Sequence, residues 1–294
     1  MSKPFAASEG RGELGQEESR SQAIQRLLSE LLRIASPFEN IMQILLTNDD
    51  GVYAPGLAAL EKELQKLGDV CVVAPAVEQS GVGHSITYLS PLICKEVFDG
   101  QDHRAWAVEG SPADCVKIAI AEFCPQRPDL VVSGINGGLN TGINVLYSGT
   151  VAAAIEGAFF GIDSIAVSLE YDEHADFTGA AKIAADVIQQ LLKHKGPEPH
   201  LYNLNIPTAA LTSDAELRVV PMGVERWGEE FEKRRDPKGR AYFWANNQPP
   251  PSASHQETDL TATADGDVAL TALNFDMTHG PVLEEMRSWG LRLQ

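Results

Sequence analysis

Short apolar segments alternate with segments of helical periodicity through the middle of this chain, and this alternation limits the possible folds more than any other feature. Short apolar runs are typical of buried strands, whereas apolar residues at i, i+3 and i+4 indicate amphipathic helices. The pattern predicts a doubly wound, mostly parallel α/β sheet, a three-layer Rossmann-like architecture. The predicted strands are residues 41–46, 70–74, 130–133, 164–169 and 201–206, and the predicted helices are residues 57–67, 113–123, 151–160 and 176–193.

Different patterns flank this core. Residues 1–20 are polar and rich in Gly, Glu and Ser, which predicts disorder, and residues 21–34 repeat Ile and Leu at helical spacing. Residues 225–256 combine many charges with an aromatic cluster at 242–244 and a proline run at 249–251, which predicts a C-terminal β-hairpin or arm. We therefore expect an N-terminal extension with an amphipathic helix over residues 1–38, one folded domain over 39–275 and a tail over 276–294.

The charge of the chain limits its partners. A formal net charge of −18 repels phosphate backbones and anionic lipid surfaces, so we expect neither a nucleic acid polymer nor a membrane as partner. The sequence contains no apolar run long enough to span a bilayer and no secretion signal pattern. Its four cysteines form no CxxC pair, and a reduced, cytoplasmic location fits them best.

Two adjacent carboxylates, Asp49 and Asp50, follow the first predicted strand within Asn48-Asp49-Asp50-Gly51. Ligands bind at the carboxyl ends of strands in α/β sheets, and neighbouring buried carboxylates need a cation or several donors. Hard oxygen ligands favour Mg²⁺ or Mn²⁺, with a phosphate as the usual companion. An alternative interpretation is an Asx-turn in which Asn48 or Asp49 caps the helix beginning near Pro55.

Three further loops follow predicted strands or precede predicted helices. Residues 78–85 and 133–140 are rich in glycine and in polar side chains, which suits close backbone approach to an anion. Residues 147–150 precede a helix whose free N–H groups could bind an anion, although Ser148 or Thr150 could simply cap that helix. The convergence of these loops on one crevice favours a phosphate site.

The motifs resemble those of the SurE family, which are metal-dependent nucleotidases and acid phosphatases. The resemblance covers roughly residues 41–275. Its motifs, among them Asn48-Asp49-Asp50-Gly51 and Ser133-Gly134-Ile135-Asn136, occur in the order found in the family, and the match is highly specific. The matching stretches are residues 44–51, 54–56, 74–75, 79–81, 85–87, 108–116, 133–136, 147–154, 203–207 and 258–259.

The resemblance implies a metal-dependent phosphomonoesterase that hydrolyses nucleoside monophosphates to nucleoside and phosphate. It implies a 5'-nucleotidase, with 3'-nucleotidase and exopolyphosphatase activity as further possibilities. One divalent ion per subunit, Mg²⁺ or Mn²⁺, would provide the water that attacks phosphorus. The family's metal ligands correspond to Asp49, Asp50, Ser80 and Asn136, and Asn144 stands where relatives often have Asp.

The loops around the expected ion provide the other candidate groups. Phosphate oxygens would bind N–H groups at the start of the predicted helix over residues 151–160 and the amide of Asn140. His84 is a candidate general acid by its type and position, although a structural hydrogen bond explains a loop histidine equally well. The expected phosphate-binding residues are Asn140, Ser148, Gly149 and Thr150.

Two other interpretations belong to different classes. A haloacid-dehalogenase-type aspartyl phosphatase has two aspartates separated by one residue, whereas Asp49 and Asp50 are adjacent. A non-enzymatic dinucleotide-binding module has GxGxxG after its first strand, where this chain has Asn48-Asp49-Asp50-Gly51. Phosphate release measured with and without a chelator would distinguish both from the metal-dependent hydrolase.

The charge-rich residues 225–256 bear on assembly. Their aromatic cluster would be poorly solvated on a monomer, and packing at an interface is a better explanation for it than stacking on a base. In the resembling family this region forms an arm that packs on a neighbouring subunit. We therefore expect a homodimer or a homotetramer.

Overall fold

The computed structural model describes residues 41–225, 228–248 and 256–293 of the 294-residue chain. The expected N-terminal extension, with its polar segment and its amphipathic helix, lies outside these residues. Within them, no helix is both long enough and apolar enough to cross a membrane.

A nine-stranded sheet forms the centre of the described fold. Its strands are β1 Met42–Thr47, β2 Gly68–Pro75, β3 Cys94–Asp99, β4 Asp102–Val108, β5 Leu130–Gly137, β6 Asp163–Leu169, β7 Leu201–Ile206, β8 Leu217–Val219 and β11 Val268–Leu273. They lie in the order β3-β4-β2-β1-β5-β6-β7-β11-β8. The five central strands from β2 to β7 pair in parallel, which confirms the predicted doubly wound architecture. Strand β3 pairs antiparallel with β4 at one edge, and β11 pairs antiparallel with β7 near the other.

Consecutive side chains of a strand point to opposite faces of the sheet. Because the strand side chains on both faces are apolar, helices cover both faces. The helices are α1 Pro55–Leu64, α2 Pro112–Ile118, α3 Gly149–Phe159, α4 Phe177–His194, α5 Asp259–Ala264 and α6 Gly280–Ser288, with a π-helix at Ala119–Phe123 and 3-10 helices at Gly142–Leu146 and Thr208–Leu211. Ile44 and Leu46 of β1 pack with helices α1 and α4, whereas Leu45 packs with α2 and α3 on the other face. A Cβ on Gly157 would lie 2.5 Å from Ser164 Oγ, so glycine there lets α3 lie close to the sheet.

Several elements differ from the sequence-based expectation. Helix α1 ends at Leu64 instead of residue 67, because β2 already begins at Gly68, opposite Met42 of β1. The helix predicted over 113–123 is α-helical to Ile118 and π-helical from there to Phe123. Strands β3, β4, β8 and β11 are not among the predicted strands, because they are short, carry polar residues or lack clear alternation.

A two-stranded hairpin of β9, Gly228–Arg235, and β10, Ala241–Gln248, projects from the C-terminal half, as predicted. Its aromatic side chains are largely exposed, with exposed fractions of 63% for Phe231, 58% for Phe243 and 59% for Trp244. Helix α6 lies in the predicted tail and buries none of its residues within the described part of the chain.

Strands β1 and β5 are neighbours in the sheet, and the connections that follow them lead toward opposite edges of the sheet. Strand β1 continues through α1 to β2, while β5 continues through α3 to β6. This reversal is the topological switch point of a doubly wound sheet, where a crevice opens beyond the carboxyl ends of the strands. Thr47 pairs with Ser133, so the residues that follow β1 and those that end β5 meet there.

Candidate active site

The turn after β1 is built by Asn48, which is fully buried. Its Nδ2 donates to the carbonyl of Gly51 at 3.0 Å, and its Oδ1 accepts from the Gly51 N–H at 3.2 Å. Gly51 has φ +103°, a conformation that favours glycine. Helix α1 begins after Ala54 without a side-chain cap, so neither Asn48 nor Asp49 caps it. The hydrogen bonds of Asn48 thus form an Asx-turn. Neither aspartate is needed to cap the helix, so both are available for another role.

A cavity of about 550 Å³ opens at this switch point. Three carboxylates line it, and no lysine, arginine or histidine is among its lining residues in the described part of the chain. It brings together most of the side chains that were selected from the sequence, with Glu78 as the third carboxylate. The selected residues in its wall are Asp49, Asp50, Ser80, Asn136, Asn140, Asn144 and Ser148.

Asp49 is held by the first turn of α3. Its Oδ2 accepts from the Thr150 N–H at 3.1 Å, and its Oδ1 accepts a short hydrogen bond from the Thr150 hydroxyl. A Cβ on Gly149 would lie 3.0 Å from the Asp49 Cβ, so glycine lets the helix terminus approach this closely. Burial raises the pKa of Asp49, and the hydrogen bonds from Thr150 partly offset that effect. The carboxylate is thus held in a fixed orientation by neutral donors.

Asp50 lies in the same wall with fewer donors. Its Oδ2 accepts from the Gly137 N–H at 3.3 Å. Burial and the charge of Asp49 raise the pKa of Asp50 from 3.8 to about 6. The backbone N–H of Gly137 opposes that rise, while the charge of Glu78 adds to it. Two neighbouring carboxylates with raised pKa values indicate a site that is short of positive charge.

Ser80 and Asn136 each have one polar group already engaged. The Ser80 hydroxyl donates to Glu78 Oε1 at 2.6 Å, so its oxygen lone pairs are available as acceptors. The Asn136 Nδ2 donates to the carbonyl of Gly138 at 2.6 Å. Since the amide nitrogen is committed in this way, Asn136 offers its carbonyl oxygen to the cavity.

Asn140 is fixed by a buried network below the cavity. Its N–H donates to Asn205 Oδ1 at 2.8 Å, and its Nδ2 donates to Ser168 Oγ at 2.8 Å. Its carbonyl accepts from Asn203 Nδ2 at 2.8 Å. This network from β6 and β7 sets the path of the loop that leaves β5.

The four residues expected to bind phosphate separate into two groups. Asn140 and Ser148 line the cavity, and the Ser148 hydroxyl also caps α3 by accepting from the Val151 N–H at 3.1 Å. Gly149 and Thr150 lie behind Asp49 and are not among the described lining residues. Both donors of Thr150 are committed to Asp49, so in this structure Thr150 orients a carboxylate.

The structure does not bring His84 into the cavity. Its Nε2 lies 2.8 Å from Glu156 Oε2 on α3, and its ring stacks on Phe159 at 5.4 Å between centroids. These are the contacts of a histidine that holds a loop in place.

Asp259 at the start of α5 holds another loop of the site. It is fully buried, and its carboxylate accepts from the N–H groups of Gly142 and Gly223, each at 2.8 Å. Gly142 follows the loop of Asn140, and Gly223 lies just before the hairpin. Asp259 belongs to the family pattern in the sequence, but its role becomes visible only in the structure.

The donor chemistry of the cavity suits a hard divalent cation. The atoms available to bind a cation are oxygens of Asp49, Asp50, Ser80 and Asn136, and oxygen is the ligand atom that Mg²⁺ and Mn²⁺ prefer. No cluster of three or more His, Cys, Asp or Glu side chains with metal-site geometry occurs in the residues that the structure covers. A cation here would therefore rely on the neutral oxygens of Ser80 and Asn136 beside the two aspartates.

Comparisons with known proteins identify the family of this chain. The family model described as "Survival protein SurE" matches residues 44–229. The chain belongs to the SurE family. A protein named 5'-nucleotidase SurE from Rhodopirellula baltica is 58% identical over 252 residues, covering 85% of this chain and 100% of that protein.

More distant SurE proteins match over a similar span. The 5'-nucleotidase SurE of Carboxydothermus hydrogenoformans is 41% identical over 253 residues, covering 84% of this chain and 96% of that protein. The crystal structure of the SurE protein from Aquifex aeolicus matches with a TM-score of 0.74 and 36% identity, covering 84% of this chain and 99% of that one. The similarity therefore covers nearly the full length of both of these relatives.

Sequence reasoning missed three features of the site. Glu78, the first residue of the loop over residues 78–85, is a third carboxylate of the cavity that the motifs do not identify, although its position two residues before Ser80 is a usable signal. Tyr171, which lies between β6 and α4, and Phe177, the first residue of α4, also line the cavity. The pairing of His84 with Glu156 joins residues 72 positions apart and has no local sequence signal.

Proposed function

We propose that this protein is a metal-dependent 5'-nucleotidase that hydrolyses nucleoside monophosphates to nucleoside and inorganic phosphate. The names of its SurE relatives support the reaction, and the similarity extends over the full length of the Rhodopirellula protein. Activity on 3'-nucleotides and on polyphosphate is part of the proposal as a secondary property of the same site.

The observation that carries the metal requirement is the charge of the cavity. Three carboxylates line it, with no cationic side chain among the described lining residues, so a phosphate monoester would meet only negative side-chain charge. A divalent ion resolves this conflict, because it neutralises the carboxylates and attracts the phosphate. One Mg²⁺ or Mn²⁺ per subunit, held by Asp49, Asp50, Ser80 and Asn136, fits the donor set.

When bound, such an ion supplies positive charge to the phosphoryl group and acidifies water. The side chains have distinct tasks around it. Thr150 fixes the orientation of Asp49 through two hydrogen bonds, and the Gly137 N–H steadies Asp50. Glu78 accepts the hydrogen bond of the Ser80 hydroxyl, which leaves the Ser80 oxygen free to bind a cation.

The remaining phosphate oxygens are assigned to Asn140 and to Ser148, the two expected phosphate-binding residues that line the cavity. Asn140 is pre-organised because its backbone and its amide are both fixed by the buried network. The Ser148 hydroxyl accepts from the Val151 N–H, so its own proton is available to a phosphate oxygen in the cavity. Such fixed donors stabilise charge that develops on the phosphoryl oxygens.

Assembly and location complete the proposal. We assign the hairpin of β9 and β10 to a subunit interface of a homodimer or homotetramer, since its exposed aromatic residues favour burial. The four cysteines are free thiols, which supports a reducing, cytoplasmic location.

Phosphate release from purified protein tests this function. A panel of nucleoside 5'- and 3'-monophosphates, together with polyphosphate, should show turnover with Mn²⁺ or Mg²⁺, highest on the 5'-nucleotides. EDTA should abolish the activity, and excess metal should restore it. Full turnover in metal-free buffer would overturn the metal requirement, and failure to hydrolyse any nucleotide would overturn the substrate assignment.

Matched variants connect the activity to the cavity. Asp50→Asn should lower turnover by several orders of magnitude, because it removes a charged ligand. The exposed loop residue Asp214 offers the same substitution outside the site, so Asp214→Asn should behave as wild type. Near-normal turnover of Asp50→Asn at saturating metal would show that Asp50 is not a ligand.

A further inference from the structure

Glu156 is a buried carboxylate that the proposed reaction does not use. It lies on α3 and is 5% exposed. Its Oε2 lies 2.8 Å from His84 Nε2, and its Oε1 lies 3.5 Å from Lys117 Nζ. Burial of a carboxylate is costly unless it is paired, so this residue type needs an explanation in a helix that otherwise packs through small side chains.

The partner of Glu156 belongs to the segment that carries Ser80. Residues 78–87, here the Ser80 loop, contain no helix or strand, and Gly81 and Gly83 adopt φ values of +69° and +57°. Their backbone is tied to the site by the Gln79 N–H, which donates to the Asp49 carbonyl at 2.7 Å. It is tied again by the Gly83 N–H, which donates to the Tyr147 carbonyl at 3.0 Å. His84 adds a side-chain anchor at the distal part of this loop.

Helix α3 therefore contacts both Asp49 and the Ser80 loop, which provide proposed metal ligands. Its first turn holds Asp49 through Thr150, and its second half holds the Ser80 loop through Glu156. We propose that Glu156 is a positioning residue, which acts through His84 to hold Ser80 at the distance from Asp49 that the metal ion requires. This inference rests on the proposed function in one respect, that Ser80 is a ligand.

Two measurements on the full-length protein test the proposal. The substitution Glu156→Gln keeps the size of the side chain and removes its charge. Hydrogen exchange of the amides in the Ser80 loop should become faster by about tenfold, and calorimetric titration with Mn²⁺ should give a dissociation constant about tenfold weaker. At saturating Mn²⁺, kcat on a nucleoside 5'-monophosphate should stay within about threefold of wild type, because the ligands themselves remain.

Two further variants separate positioning from general destabilisation. Asp163 is also a buried, ion-paired carboxylate, 2.6 Å from Lys195 Nζ and outside the cavity, so Asp163→Asn is the matched control. It should leave both loop exchange and Mn²⁺ affinity unchanged. His84→Gln removes the other partner and should reproduce the effect of Glu156→Gln, and the double variant should be no worse than either single variant.

The outcomes distinguish the two proposals. Unchanged exchange of the Ser80 loop in both Glu156→Gln and His84→Gln would overturn the role of this pair. Faster exchange with unaltered Mn²⁺ affinity would overturn the positioning of Ser80. If wild-type protein bound no Mn²⁺, the proposed metal site would fail, whereas the exchange data would still decide whether Glu156 holds the loop.

Discussion

Replacement of Asp50 by asparagine should stabilise the metal-free protein, although it should destroy activity. Burial and the charge of Asp49 raise the pKa of Asp50 from 3.8 to about 6, so its charged form is disfavoured in the fold. A rise of this size corresponds to ~3 kcal/mol for a fully buried group. Asp50 is only partly buried, so solvent screening reduces the expected gain to ~1–2 kcal/mol at a pH of about 7.5.

The sign of the effect gives it a pH signature. Because the folded state holds the Asp50 proton more tightly than the unfolded state, this carboxyl lowers stability progressively as the pH rises from about 4 to about 6. The loss is complete above the folded-state pKa. The asparagine of the variant does not titrate, so the variant and wild type should differ little at a pH of about 4.5 and most at about 7.5.

Thermal and urea unfolding in EDTA measure this difference. A gain of ~1–2 kcal/mol corresponds to a midpoint higher by ~2–8 °C for a domain of this size. Addition of Mn²⁺ should reverse the order, since a ligand at about a hundred times its dissociation constant adds ~2.7 kcal/mol to the protein that binds it. Asp214→Asn is the surface control. A variant that is less stable than wild type in EDTA at the higher pH would refute the reasoning.

Three further predictions concern other parts of the molecule. Thr150→Val removes the hydroxyl that orients Asp49 and should weaken Mn²⁺ binding by ~10–100-fold in calorimetry; unchanged affinity would contradict that role. Gly157→Ala should lower the free energy of unfolding by ~1–3 kcal/mol in urea, because its Cβ would meet Ser164 and Val131; a neutral result would mean that α3 can shift. Deletion of residues 228–254 should move the protein toward monomer in light scattering, with metal binding retained. A monomeric wild-type protein would show that the hairpin does not form a subunit interface.

The central part of the fold was predictable from sequence because its strands are buried on both faces. Continuous apolar runs such as the one around Leu45 indicate such strands without any knowledge of their partners. Edge strand β3 has only one buried residue, Val97, and carries charged side chains, so no local pattern marks it. Its place in the sheet is decided by pairing with β4, which is a tertiary property.

The site was predictable where its residues lie at the ends of strands. Asp49, Asp50 and Asn136 follow or end neighbouring strands, and strand order alone brings them together. The task of Thr150 was not visible, because its partner Asp49 is 101 positions away and a threonine at the start of a helix is normally explained by capping. Side-chain pairs between distant elements depend on exact packing, which periodicity does not encode.

Hydrogen bonds of Asp259 join the segment before the hairpin to the segment after it, so the hairpin is an insertion whose two ends lie together. The Asp259 carboxylate binds the Gly223 N–H ahead of the hairpin, and its own N–H donates to the Pro221 carbonyl at 3.0 Å. The chain thus leaves and re-enters the domain at one point. The entropic cost of closing a loop grows only slowly with its length, so a shorter or longer excursion would alter that cost little. The length of this excursion can therefore vary without any change in the residues that line the cavity.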